Sequence, residues 1–250
     1  MKRQALTISI LALLFLLPLT SRAQLIDYGK PAKFLDIEAY LLLGGSYLTN
    51  NYMDCYKEIS DLNSSMGTAW GIGAGVKFNL SSFIGLGTEF NYLRNSGKMD
   101  MAVTADGKPN VSNVFIKNTY RTIDIPIFIS FNFNLASNIR WNVDGGFYLD
   151  FGTSGKQKAT IYNAAVNELG QLTTSVTHQK TDYYNNDRAF LNSFRTFDSG
   201  LHLATGLTFI NRISIGVRGQ FGLRNVAHSN GLIKPSSHNI KLFATVGYHF

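Results

Sequence analysis

The sequence predicts an all-β protein: an eight-stranded antiparallel transmembrane β-barrel whose strands form an up-and-down meander. Three observations predict this fold class. Apolar and polar residues alternate with a period of two over most of the chain. Short connections between the predicted strands alternate with long ones. The chain also begins with a short basic stretch and an apolar run, which is the form of a secretory signal peptide.

Residues 1–23 are predicted to be the signal peptide, and residues 24–250 the barrel domain. Two basic residues precede an apolar run from Ile8 to Leu17, and Ser21-Arg22-Ala23 places small residues at the two positions that a signal peptidase reads. The run is too short to span a bilayer as a helix. Cleavage removes three basic residues and no acid, so the formal charge falls from +7 to +4. This mildly basic balance does not indicate nucleic-acid binding.

The single cysteine, Cys55, excludes an intrachain disulfide framework, and we expect it to be a lone exposed thiol in the first loop without a role. After the cleavage point no apolar run reaches the roughly 18 residues that a membrane-spanning helix requires. An exported chain of this kind can still meet lipid through alternate residues of its strands.

The first four strands are each predicted from alternation. Strand 1, Phe34–Tyr47, has apolar residues at odd positions from 35 to 43. Strand 2, Gly67–Leu80, has them at even positions from 70 to 80, with glycines between. In strand 3, Phe83–Asn95, the mainly apolar residues occupy even positions from 84 to 92. In strand 4, Thr119–Phe133, apolar residues occupy odd positions from 123 to 133.

The last four strands follow the same rule. Strand 5, Ile139–Gly152, has apolar residues at odd positions from 141 to 151, interrupted at Gly145. Strand 6, Asp198–Ile210, and strand 7, Ile213–Arg224, are apolar at most of their odd positions. Strand 8, His238–Phe250, is apolar at even positions from 240 onward.

The connections indicate the orientation of the barrel. The short ones are Ser81-Ser82, Asn134–Asn138 and Asn211-Arg212, and the long ones are Leu48–Met66, Ser96–Asn118, Thr153–Phe197 and Asn225–Ser237. Outer-membrane barrels have short periplasmic turns and long extracellular loops. We therefore expect a bacterial outer-membrane protein with periplasmic termini. Within the longest loop, Lys158–Val166 and Gln171–Lys180 are predicted to extend the barrel as a hairpin, and Ser96–Asn118 to form a second one that turns at Asp106-Gly107.

A soluble β-sandwich would show the same alternation, but three features favour lipid. Only 16% of the residues are charged, and the polar faces of the strands carry many glycines, which leave room for Tyr40, Phe128 and Tyr148 inside a crowded barrel. Outward aromatics also fall into two groups, as expected at two membrane interfaces. The short-turn group is Phe78, Phe131, Phe133, Trp141, Phe209, Tyr248 and Phe250, and the long-loop group is Tyr47, Trp70, Tyr92, Phe151 and Phe221.

The lumen-facing positions collect charged residues, which we expect to form an ionic core: Asp36, Glu38, Glu89, Asp124, Asp144 and Asp150 with Lys77, Arg140, Arg218, Arg224 and Lys241. Eight strands enclose a space that side chains just fill, and buried charges need partners. The favoured interpretation is therefore a paired core that closes the barrel; the alternative is a proton or ion pathway.

No sequence motif indicates a catalytic, cofactor or metal site. His202, Ser199 and Asp198 lie near one predicted rim, but too close together along one strand to form a relay by themselves. The sequence lacks a G-x-S-x-G nucleophile motif and histidines at metal-ligand spacing. A lipid-modifying enzyme is therefore the least favoured alternative. An aromatic loop segment with Tyr183, Tyr184, Phe190 and Phe194 either packs on its own hairpin, which we favour, or binds a partner, a glycan or lipopolysaccharide.

The whole predicted mature chain resembles the PorT-like outer-membrane β-barrel family. The stretches Tyr120–Pro126, which opens strand 4, and Val246–Phe250, which ends the chain, carry this resemblance. It implies an outer-membrane barrel domain, and it implies that Phe250, with Tyr248 and Val246 as outward partners, is a signal read by the barrel-insertion machinery.

These observations together predict a non-enzymatic outer-membrane barrel that needs no cofactor. We expect it to stabilise the envelope or to bind a ligand or an extracellular or envelope protein through its loops, with outer-membrane lipid or lipopolysaccharide around it. A narrow channel is the alternative function.

Overall fold

A computed structural model describes residues 25–104, 111–166, 169–184, 194–228 and 234–250. The predicted signal peptide and Phe190 lie outside the described residues. The elements in chain order are β1 (Leu35–Asn50), α1 (Tyr52–Cys55), β2 (Ile59–Asn79), β3 (Ile84–Thr104), β4 (Val111–Ala136), β5 (Ile139–Val166), β6 (Leu172–Asp182), β7 (Phe197–Phe209), β8 (Ile213–Gly222) and β9 (Ser237–His249).

Eight of the nine strands in the described ranges close into a ring. The order is β1-β2-β3-β4-β5-β7-β8-β9, every neighbouring pair is antiparallel, and β9 pairs back onto β1 from Glu38↔His249 to Asn50↔Ser237. Closure leaves no unpaired sheet edge in the wall, where unpaired amides in hydrocarbon would each cost several kcal/mol. The predicted all-β barrel meander is confirmed, and predicted strands 6, 7 and 8 are β7, β8 and β9.

In the barrel wall, polar side chains are buried inside and apolar side chains are exposed outside, which is the reverse of a soluble protein. In β9, Lys241 and Thr245 are buried, whereas Leu242 and Val246 are 44% and 55% exposed. Aromatic rings meet outside the wall near the short turns, where those of Phe133 and Trp141 stack with centroids 5.0 Å apart. The period of two therefore separates a polar lumen from an apolar outer surface.

Beyond the wall, β2 to β5 continue into what we call the outer sheet. It consists of residues 59–66, 97–104, 111–118 and 155–166, with β6 added at its edge. Both predicted hairpins are confirmed as paired strands, although the turn at Asp106-Gly107 lies outside the described residues. The sequence assigned residues 59–66 to a loop, and this was wrong, because their weak alternation in a polar stretch hides a strand that pairs with β3.

Bulges mark the boundary between wall and outer sheet on two sides. The β4–β5 register shifts between Arg121↔Ser154 and Thr122↔Gly152, and the β2–β3 register shifts between Met66↔Gly97 and Trp70↔Arg94. An extra residue in one strand bends it and increases its twist. The outer sheet can therefore turn away from the barrel axis while the same strands continue through both parts.

The outer sheet has its own apolar core on one face. Tyr52 of α1 packs there with Ile59, Met99, Met101, Val114, Ile116 and Ala159. Burial raises the pKa of the Tyr52 hydroxyl to about 12, and Ser237 Oγ donates a hydrogen bond to it at 3.2 Å. Within the described ranges, no helix has the length and apolar character needed to cross a bilayer.

At the short-turn end, the segment that precedes β1 runs across the turns. The backbone oxygens of Leu25, Gly29 and Phe34 accept hydrogen bonds from Asn134, Ser82 and Asn79. The Tyr28 ring also contacts Phe83, with centroids 5.5 Å apart. This segment therefore ties three neighbouring strand ends together at one mouth of the barrel.

Candidate functional site

The lumen of the barrel contains polar side chains in layers, and the layer nearest the short turns is centred on Asp36. Arg140 Nη2 lies 3.4 Å and Lys77 Nζ 4.0 Å from Asp36 Oδ2, and His249 Nδ1 lies 3.0 Å from Oδ1. The layer also holds Glu38, which accepts a hydrogen bond from Ser214 Oγ. Alternation places these residues on one face of their strands, and ring closure brings β1, β2, β5 and β9 around a single carboxylate.

The next layer contains an ion pair between Arg218 and Glu89. The guanidinium carbon of Arg218 lies 4.0 Å from the centre of the Tyr40 ring, a cation–π contact. Tyr40 has room because it faces glycine on both neighbouring strands, Gly73 and Gly247. A Cβ atom at Gly73 would overlap the Tyr40 ring.

Asp124 lies one step farther from the short turns and is surrounded by amide donors. Asn91 Nδ2 and Gln220 Nε2 each donate to Asp124 Oδ2 at 2.9 Å, and Tyr40 Oη donates to Asn91 Oδ1 at 2.6 Å. Asp124 is fully buried. Burial of a charged group is tolerable only where hydrogen bonds or countercharges satisfy it, and this network supplies them.

The layer nearest the long loops contains Lys241 paired with Asp150, whose side chains are 0% and 2% exposed. Beside them, Tyr148 Oη donates to Asp198 Oδ2 at 3.0 Å and Asn239 Nδ2 donates to the same atom at 2.9 Å. Asp198 was not predicted to belong to the lumen core. It nevertheless has an even position in its strand, like His202, and even positions in this strand face the lumen.

Above that layer lies a stack of aromatic rings, which we call the aromatic cap. The rings of Tyr120 and Tyr183 stack at 4.7 Å, and those of Tyr183 and Phe194 at 4.5 Å. Leu48 and Val226 complete the cluster. Tyr183 and Phe194 are 3% and 2% exposed, so their rings face the barrel mouth and not solvent.

The lumen of the described barrel contains cavities at and above the short-turn end. A vestibule of about 580 Å³ opens at the short-turn end and is lined by Lys30, Lys33, Asp36 and Arg140. A cavity of about 50 Å³ lies deeper, beside Glu89 and Arg218, and it shares Asp36 as a lining residue. The deeper cavity has room for roughly three water molecules, which require about 15 Å³ each.

Arg224 was predicted to face the lumen, but it is exposed and its guanidinium carbon lies 4.9 Å from the centre of the Phe197 ring. The remaining predicted residues have clear positions. Asn142 Nδ2 donates to Asp144 Oδ2 at 2.9 Å inside the lumen. Tyr184 is half-buried against Tyr120. At the chain end, Phe250 is 66% exposed beside Tyr248, and its amide donates to the Ile37 carbonyl oxygen at 3.0 Å.

The described residues do not assemble a catalytic or metal site around the histidines. His202 is 1% exposed and lies against the Phe128 ring, and neither of its ring nitrogens has a hydrogen-bond partner in the described ranges. Ser199 lies on the other face of β7, because the two residues are three positions apart and side chains alternate between faces at every position. No group of three or more potential metal ligands occurs among the described residues.

Comparison with known proteins identifies a family. The sequence profile described as "Outer membrane protein beta-barrel domain" matches residues 24–228. No curated protein sequence matches the chain.

Among solved structures, Ail, the attachment invasion locus protein of Yersinia pestis, aligns over 87% of this chain and 100% of its own, with a TM-score of 0.37 and 10% identity. Neisserial surface protein A aligns over 87% and 98%, with a TM-score of 0.33 and 8% identity. The N-terminal β-barrel domain of OprF from Pseudomonas aeruginosa aligns over 86% and 97%, with a TM-score of 0.27 and 10% identity.

Proposed function

This chain belongs to the outer membrane protein beta-barrel domain family, and we propose that it is a sealed, non-enzymatic barrel that supports an outer sheet for ligand binding. In this proposal the termini and short turns are periplasmic, and the outer sheet projects from the cell surface. The stretches Tyr120–Pro126 and Val246–Phe250 support a place among the PorT-like members.

The observation that carries the proposal is the succession of closed layers along the lumen. Lys241 and Asp150 are both almost completely buried, and Asp124 is enclosed by amide donors. The aromatic cap then lies across the mouth at the long-loop end. A permeating ion would have to break these pairs and displace packed rings, each at a cost of several kcal/mol.

A narrow channel is the second candidate, and one observation favours it. The vestibule and the deeper cavity share Asp36, so water can approach the Arg218–Glu89 layer from the short-turn end. In the sealed-barrel proposal this access ends at the Asp124 and Lys241 layers. In a channel it would continue past them.

Planar-bilayer recording distinguishes the two functions. For the refolded protein we expect no conductance above the empty-bilayer baseline, with a known porin in the same bilayer system as the positive control. Discrete conductance steps that change on Arg218→Gln or Asp124→Asn would overturn the sealed barrel and establish the channel.

Orientation is tested on intact cells with a membrane-impermeant maleimide. In a Cys55→Ser background, Val176→Cys in β6 should be labelled, because Val176 is 54% exposed on the outer sheet. Ser137→Cys, exposed in a short turn, should be labelled only after the cells are permeabilised. The reverse pattern would overturn the proposed orientation.

The separation of His202 from Ser199 supports the non-enzymatic part of the proposal. His202 points into the lumen against Phe128, whereas Ser199 lies on the opposite face of β7, so the imidazole of His202 is not placed to activate the Ser199 hydroxyl.

A further inference from the structure

One face of the outer sheet carries a row of lysines at consecutive cross-strand positions. The register pairs Lys98 with Lys117, Lys117 with Lys158, and Lys158 with Lys180, so four strands each place a lysine in the same row. All four are exposed. Adjacent strands lie about 4.8 Å apart, so the row is about 14 Å long.

Such a row is unfavourable in the absence of a ligand. Like charges directly opposite each other on neighbouring strands repel and destabilise the sheet. In the described part of the chain, no carboxylate lies within 4.0 Å of any of these four amino groups. Lysines often protect exposed sheet edges from aggregation, but Lys117 and Lys158 lie on strands paired on both sides, so edge protection does not explain them.

The basic surface extends from the row towards the membrane. Arg94 and Arg121 are cross-strand partners, one step outward from the ring of Tyr92. Lys156 lies between this arginine pair and the lysine row. These three side chains are also exposed. The acidic residues near the row are Asp100, one step outward on β3, Asp61, two steps outward on β2, and Asp182, beside Lys156 on β6. Basic groups therefore outnumber acidic ones on this face.

The height of the lysine row above the long-loop aromatic group indicates how far its ligand lies from the membrane. Lys117 lies six residues outward from Ile123, which pairs with Tyr92 and Phe151 of the long-loop aromatic group. Six residues span about 20 Å along a strand, or about 15 Å along the membrane normal at a tilt of about 40°. In the proposed orientation, the surface from Arg121 to Lys117 covers the headgroup zone of the outer leaflet.

Next to the lysines is an aromatic platform. Phe115 and Tyr162 lie one and two steps outward on the same face, with ring centroids 5.7 Å apart in an edge-to-face contact. Both remain almost half exposed, at 46% and 47%. Exposed aromatic faces beside cations suit a ligand that combines sugar rings, whose C–H groups pack on π faces, with anionic substituents.

We propose that this face binds the phosphorylated sugar headgroup of an outer-leaflet lipopolysaccharide. The four-lysine row and the basic residues below it contact the phosphates, while Phe115 and Tyr162 contact a sugar ring. The lipid source follows from the continuity of this face with the lipid-facing wall below it. The inference rests on the outward orientation proposed above.

The test measures binding of fluorescently labelled lipopolysaccharide to the folded barrel in detergent micelles. Lys117→Gln/Lys158→Gln should weaken binding by about tenfold to thirtyfold, because each basic residue near an anionic lipid surface contributes about one tenfold step or less. Lys57→Gln/Lys234→Gln is the matched control: it removes the same charge from exposed positions outside the row, and it should bind like the parent protein. Dephosphorylated lipopolysaccharide should bind weakly to the parent protein and to the control variant.

Equal affinity of the parent and row variants, equal loss in the control variant, or undiminished binding of dephosphorylated lipopolysaccharide would each overturn the site. Tight binding of soluble heparin without binding of lipopolysaccharide would assign the row to a soluble polyanion and overturn the lipid source. Because this assay does not depend on orientation or conductance, its failure leaves the sealed barrel standing.

A stability measurement separates a binding role from a merely structural one. Without lipopolysaccharide, Lys158→Gln should raise the thermal midpoint in detergent, because it removes two like-charge contacts. Added lipopolysaccharide should stabilise the parent protein more than this variant. A row that served only to stabilise the sheet would give a lower midpoint in the variant.

Discussion

At the scale of single residues, the lumen layer nearest the long loops is held by two charges that are almost completely shielded from water. Lys241 and Asp150 face each other from β9 and β5 with almost no exposed side-chain surface. A buried pair of this kind contributes little net stability, since desolvation offsets the attraction. Loss of one partner is costly, however, because the other charge stays buried alone.

This asymmetry predicts the outcome of a double-mutant cycle. Lys241→Met should destabilise the folded barrel by about 3–5 kcal/mol, whereas Lys241→Met/Asp150→Leu should recover most of that loss. Urea unfolding in lipid vesicles, followed by the fluorescence of Trp70 and Trp141, measures both free energies. Equal destabilisation of the single and double variants would show that the lysine acts through packing and not through its charge.

At the scale of elements, β2 to β5 each run through both the barrel wall and the outer sheet. β5 pairs with β7 over residues 139–151 and with β6 over residues 156–166. The bulge at Thr153 lies between these two stretches. The ring therefore closes without any contribution from β6, and the outer sheet can vary while the barrel is kept.

Truncation of the β5–β6 hairpin tests this independence. Thr160 and His178 are cross-strand partners, so replacing residues 161–177 by Asn-Gly should give a tight two-residue turn. We expect the variant to fold and to migrate faster on gels before boiling than after. Loss of that difference would mean that the hairpin is required for ring closure.

The end of β9 carries a second prediction at this scale, which follows from the proposed insertion signal. Phe250→Ala should lower assembly in cells several-fold but leave refolding in detergent unchanged, because the ring is exposed and the amide bond to Ile37 persists. Leu80→Ala, at a similarly exposed position at the same end, is the control. Normal assembly of the Phe250 variant would remove this residue from the signal.

At the scale of the whole molecule, pairing of β9 with β1 joins the first and last described strands into one wall. A continuous ring of backbone hydrogen bonds in lipid has no edge at which unfolding can begin. The large apolar outer surface, with Leu43, Ile72 and Phe147 more than half exposed, requires lipid or detergent around it.

Two simple measurements follow for the whole molecule. The processed protein should be insoluble or aggregated without detergent, and in detergent the unboiled band should run ahead of the boiled one. A freely water-soluble monomer without detergent would contradict both the fold and the membrane assignment.

The sequence by itself determined the positions of the eight wall strands and most of the residues that face the lumen, although not Asp198. It could do so because the direction of a side chain in a strand depends only on the parity of its position, which is a local property. Tyr40, Phe128 and Tyr148 are all buried, as alternation predicted.

Only the tertiary structure decided which lumen residues meet. Asp150 and Lys241 are 91 positions apart, and their contact depends on the stagger between strands around the closed ring, which alternation does not encode. The extension of β2, the aromatic cap and the lysine row have the same origin. Each arises from the register between strands, and register is set by pairing and closure across the whole barrel and not by neighbours along the chain.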